Sequence, residues 1–151
     1  MSFLQQARFS GGRFAEALSY WDSKRRGRLM PSRRDIDPLE IPSLLRNVVL
    51  VDVRHDPLDF RYRLLGTAVV ARVACDYTGR RFMDLPHQRP GSQVWDTAVR
   101  LVEERRPLFS AIPYVGGDPA VRDYQDLYMP LSDDGETVNM IFGLIEFAVR
   151  P

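Results

Sequence analysis

The chain has 151 residues, 44% hydrophobic and 27% charged, with a formal net charge of +1. That size and balance suit one folded domain and exclude a disordered chain, and the small charge argues against an electrostatic grip of the whole protein on nucleic acid. No apolar run reaches the roughly 18 residues of a membrane span, a single cysteine (Cys75) excludes an internal disulfide, and MSFLQQARFSGG lacks the pattern of a secretory signal, so a cytoplasmic location is expected.

Residues 1–12, with Phe3, Leu4 and Phe9 ahead of Gly11-Gly12, are expected to form an N-terminal arm, and residues 13–151 a single domain. Phe14, Ala17, Leu18 and Trp21 recur at helical spacing and predict an amphipathic helix. Lys24, Arg25 and Arg26 suit the negative end of its dipole, and Gly27 is a candidate C′ residue. The apolar stripe of such a helix needs a partner, most simply the back face of a sheet or a second copy. Residues 29–38 read as an extended connector. Asp37 then caps, and Pro38 opens, a short helix through Leu44-Leu45.

Residues 47–67 organise the rest. Residues 48–53 are β-branched and apolar at nearly every position, the mark of a strand covered on both faces. His55-Asp56-Pro57 is turn chemistry. From Asp59 to Leu64 apolar and cationic residues alternate, which predicts one buried and one polar face. Gly66 ends this strand, and Thr67 is a candidate cap for a mostly buried helix over residues 68–74. A turn at 76–80 and a loop at 85–91 follow. Ser92 can cap an amphipathic helix carrying Val94, Trp95, Ala98, Leu101 and Val102, stopped by Arg105-Arg106-Pro107. The period then changes to that of strands, over residues 107–115, 121–131 and 137–149, with Tyr124 and Tyr128 on one face. Gly116-Gly117-Asp118-Pro119 and Ser132-Asp133-Asp134-Gly135 read as the turns between them. The last strand is apolar on both faces and belongs at the centre of the sheet beside 48–53.

Several short pieces in this order are shared with a known family. They are Tyr20-Trp21, Leu29-Met30-Pro31-Ser32-Arg33, Asp35-Ile36-Asp37-Pro38, Phe60-Arg61-Tyr62-Arg63-Leu64-Leu65-Gly66-Thr67, Thr78-Gly79-Arg80, Met129-Pro130-Leu131-Ser132 and Asp134-Gly135. With them the chain resembles a family of short, stand-alone bacterial PAS-like proteins. The resemblance implies an α+β fold with a five-stranded antiparallel sheet in the order 2-1-5-4-3, helices on one face and an N-terminal amphipathic helix. It also implies a sensory role, although a fold alone does not settle function.

Family cofactors leave traces that this sequence lacks. Flavin-photosensing members share an Asn-Cys-Arg segment, whereas Cys75 lies in Ala74-Cys75-Asp76-Tyr77. Haem-binding members use a histidine on the helix before the last three strands. Residues 92–106 have none, and His87 lies upstream in a proline-flanked loop. No flavin or haem is therefore expected, and the cofactor stays unknown. Catalysis by a nucleophile needs a nearby base, and only His55 and His87 are present. Asp35 and Asp37 can pair as acid and base, but Asp37 is better read as a cap. Asp133-Asp134 reads as turn chemistry before metal ligation. The sequence thus predicts neither an enzyme nor a metal site. Lys24, Arg25, Arg26, Arg28, Arg33 and Arg34 can hold phosphates, but a solvated helix end and connector, balanced by Asp22, Asp35 and Asp37, is the simpler reading.

The expected binding site is a pocket between the sheet and the helix at 92–106, with Tyr62, Tyr124, Tyr128, Trp95 and Arg63 around it. Arg63 is a candidate clamp for a ligand carboxylate, and its competing role is a salt bridge on the polar face of its strand. Two functions follow. One is a sensor that takes a small molecule and acts through a homodimer or a separate output protein. The other is a ligand-free adaptor, tightly packed inside, that only contacts partners. A cavity of about 300 Å³ or more favours the sensor.

Overall fold

Five antiparallel strands carry the chain: β1 (Val48–Arg54), β2 (Asp59–Leu65), β3 (Leu108–Pro113), β4 (Val121–Leu131) and β5 (Met140–Val149). The computed structural model describes residues 12–73, 75–113, 119 and 121–149. The expected arm therefore lies outside the described residues except for Gly12, as does the turn before β4 except for Pro119. The strands lie in the order β2-β1-β5-β4-β3, as the resemblance implies. β1 is buried at every position except Asp52 and Arg54, and β5 from Met140 to Glu146. Both sit inside the sheet, as strands without a polar face must.

Helix α1 (Arg13–Arg25) covers the back face. Phe14, Ala17 and Trp21 are buried, Phe14 meets Phe109 edge-on at 5.2 Å, and Trp21 Nε1 donates to the Pro130 carbonyl at 2.9 Å. Its stripe is thus used within the chain rather than for self-association. The helix ends through Arg26 and Gly27, both with positive φ. Three of the six cations in the basic stretch 24–34 are in ion pairs. Lys24 pairs with Glu40, Arg25 with Asp22 and Arg28 with Asp35.

The connector folds more tightly than its sequence suggests. Asp37 does cap, accepting from Leu39 N at 3.0 Å, but the expected helix is only two separate 3₁₀ turns, Pro38–Glu40 and Leu45–Asn47. Asp35 closes a capping box with Ser32. The Ser32 backbone N–H and Arg28 hold its carboxyl down at about 2. Asp35 and Asp37 each have a structural role of their own.

The opposite, concave face is covered by α2 (Thr67–Arg72) and α3 (Gln93–Glu104). Helix α2 departs from expectation: it is six residues long and buries only Val69. Thr67 is its first residue, not its cap, because the chain turns at Gly66. There the backbone passes so close to Arg46 that a Cβ would lie 2.4 Å from the Arg46 carbonyl oxygen. Ser92 caps α3 as expected, its hydroxyl accepting from Trp95 N at 3.1 Å. β5 starts later than its sequence suggests. Asp134 accepts from the backbone N–H groups of Glu136 and Thr137 at 2.8 Å each, which keeps Thr137 in the loop.

Candidate sensory pocket

Alternation along β4 puts Tyr124, Asp126 and Tyr128 on one face, and the register aligns them with their neighbours. Tyr128 lies opposite Gly143, Asp126 opposite Ile145 and Ser110, and Tyr124 opposite Phe147. Gly143 in turn lies opposite Val49 of β1. A Cβ at Gly143 would stand 2.6 Å from Val49 Cγ2 and 3.0 Å from Tyr128 Cδ1, so the glycine is what lets the Tyr128 ring lie across β5.

These strands and α2 and α3 enclose a pocket lined by Tyr62, Tyr124 and Tyr128, by aliphatic residues including Val49, Val69 and Val94, and by His87 and Gln88. The Tyr62 hydroxyl donates to Gln88 Oε1 at 2.8 Å, and its ring stacks on Tyr77 at 6.2 Å. The cavity is about 50 Å³, room for about three or four water molecules. It is well below the roughly 300–1,000 Å³ of ordinary ligand pockets, and a flavin or haem does not fit it.

Of the residues expected here, Tyr62, Tyr124 and Tyr128 do come together. Trp95 and Arg63 do not join them. Trp95 is half-buried and packs edge-on against Phe60 at 5.1 Å, beside the pocket rather than in it. The Arg63 side chain is 60% exposed, and its Nε donates to both carboxylate oxygens of Asp52 at 2.9 and 3.0 Å. Strand alternation puts Arg63 on the face opposite Tyr62. Leu50 pairs with Leu64 and Val51 with Tyr62, so Arg63 is the extra residue of a bulge that shifts the alternation of the residues after it. Leu65 is thereby returned to the pocket. Arg63 makes the salt bridge and does not line this pocket.

Asp126 was not among the expected residues. It is fully buried, and burial pushes its carboxyl up to about 7 against hydrogen bonds from Ser110 and Tyr128. Its Oδ2 has no hydrogen-bond partner among the described residues. The neighbouring Tyr62, Tyr124 and Tyr128 hydroxyls are also raised, by burial first and then by the nearby Asp126 carboxylate. The signal was present as Tyr-x-Asp-x-Tyr on one strand face. Gln88 and His87 carried none, since a loop approaches a strand only through tertiary packing. Among the described residues no group of His, Cys, Asp and Glu can hold a metal ion, and no helix is long and apolar enough to cross a membrane.

Comparison with known proteins fits this architecture. A solved structure titled as the crystal structure of a sensory box sensor histidine kinase from Vibrio cholerae is 18% identical with a TM-score of 0.48, covering 75% of this chain and 92% of that one. Among curated proteins, none matches. The family description of a PAS domain matches residues 12–146. Over nearly its whole length, then, the chain belongs to the PAS domain family.

Proposed function

We propose that this PAS domain is a sensory module whose input is a compact, uncharged small molecule taken between the sheet and helices α2 and α3. One observation carries the reading: Tyr62, Tyr77, Tyr124 and Tyr128, with His87 and Gln88, converge on a cavity whose other walls are apolar. Apolar walls with a few convergent polar groups are the ordinary make-up of a ligand site. Among the described residues no lysine or arginine lines the cavity, so an anionic ligand finds no counter-charge there. The volume limits the ligand to a few heavy atoms unless a ring moves aside. A hydrogen-bonding group on it pairs with the Tyr124 hydroxyl at the cavity wall.

Native mass spectrometry beside a denatured sample tests this. The expected result is a small mass excess in the native spectrum that vanishes on denaturation and is lost in Tyr124→Phe. A native mass equal to that of the bare chain or its multiples, unchanged by added small ligands, overturns it. That outcome favours the second reading, a packed adaptor that works only by protein contact, which the small cavity already supports.

A further inference from the structure

The back face of the sheet holds a second cavity, for which the sensory reading has no use. It is an apolar groove of about 510 Å³ between the connector turns and strands β1, β2 and β5. Ile36, Ile41, Val48, Leu50 and Phe142 form its buried floor. Its rim is left in water: Leu45 is 37% and Leu64 43% exposed, and Leu39, in the same turn as the lining Pro38, is 87% exposed. A bound small molecule would cover the floor and leave these leucines wet. A protein segment covers both.

Charge narrows the choice of segment. The charged lining residues are Arg33 and Arg46, with no acid between them. Arg33 donates to the Ile36 carbonyl at 2.9 Å, and neither arginine has an ion-pair partner among the described residues. The nearby carboxylates are engaged elsewhere. Asp37 caps Leu39 N, Glu40 takes Lys24 and the Tyr20 hydroxyl on the α1 side, Asp35 takes Arg28 and Asp52 takes Arg63. A second copy docked symmetrically would bring Arg33 and Arg46 of both chains into one acid-free patch. Residues 1–11 contain Arg8 and no acid, so they do not supply the missing charge.

We propose that this groove docks an amphipathic helix of a separate partner protein, with apolar side chains on the floor and acidic side chains against Arg33 and Arg46. The sensory pocket and this surface lie on opposite faces of the strands they share, so β1, β2 and β5 connect them directly.

The test is a displayed library of peptides about 14 residues long, selected on the full chain and counter-selected on Leu64→Glu. The expected winners carry apolar residues at i, i+3 or i+4 and i+7, with Asp and Glu enriched over Lys and Arg. A resynthesised winner should bind the wild type at least about tenfold tighter than Leu64→Glu or Leu45→Glu. It should bind Arg46→Ala about threefold more weakly than wild type, and weaken with added salt. All three sites are on the surface, and melting curves check that the variants fold. If a leucine variant is unfolded, Arg46→Ala and the salt series decide alone. No winner that depends on Leu64 or Arg46, or winners without an acidic bias, overturn the proposal. So does a wild-type dimer that Leu64→Glu dissociates, or peptide binding that requires deletion of residues 1–11.

Discussion

On the concave face of the sheet, Phe60, Tyr62, Phe82 and Trp95 meet ring to ring at 5.0–5.2 Å. On the back face of the same strands, Leu64 and Leu45 stand half in water above an open groove. Both surfaces are apolar, yet one is closed by its own side chains and the other is not. The concave side keeps its polar atoms inside and pairs most of them, as Tyr62 does with Gln88. That face stores stability and is sensitive to any change of shape or charge. The floor of the back groove belongs to the core, while its exposed rim at Leu39, Leu45 and Leu64 is free to serve recognition.

The largest effect expected of a substitution that sharpens this contrast is Phe60→Ala. It empties a fully buried site between Phe82 and Trp95 and should cost about 3–5 kcal/mol in denaturant unfolding. A loss under about 1 kcal/mol would mean the concave aromatics are not the core.

Next is the pH dependence set by Asp126. Its carboxyl is raised in the folded state from 3.8 to about 7, so between those values the folded chain holds a proton that the unfolded chain has released. Stability should therefore fall as pH rises from about 4 to about 7, by up to about 4 kcal/mol, and flatten above. Below pH 4 the opposite sign takes over, as Asp35 and Asp134, both held down at about 2, are protonated. Urea melts at pH 5 and 8 should show about 3 kcal/mol of this drop in the wild type and none of it in Asp126→Asn. Equal drops in both would remove Asp126 from the account.

Tyr62→Phe comes third. It leaves Gln88 Oε1 without its buried donor and should cost about 1–2 kcal/mol by the same melts. The smallest effect is expected on the back face. Arg63→Ala breaks an exposed pair with Asp52 and should change stability by less than about 1 kcal/mol. It should also leave any mass excess in the native spectrum unchanged. Loss of that excess in Arg63→Ala would move ligand recognition to the opposite face of the sheet and overturn the sensory pocket.

Much of this was readable from the residues alone. The two-sided apolar pattern of 48–53 and 137–149 placed β1 and β5 at the centre. The period-two spacing of Tyr124 and Tyr128 put both rings on one face, and Ser92 and Asp37 announced their caps. Arg63 was misplaced beside Tyr62 because strand neighbours point to opposite faces, and what alternation does not foresee is the bulge that turns Leu65 rather than Leu64 to the pocket. Trp95 was expected in the pocket from its helix, yet it lies at the edge, against Phe60.

Local sequence is enough for periodicity, caps and turns, because these depend on the few residues around each position. The depth of Asp126, the clearance over Gly143, the pairing of Tyr62 with Gln88 and the openness of the groove depend on something else. Each is set by which strand or loop, distant in sequence, arrives at that point and in which register. Burial depth and cavity shape are properties of that assembly, and they convert an ordinary aspartate on β4 into the most perturbed carboxyl described in this fold.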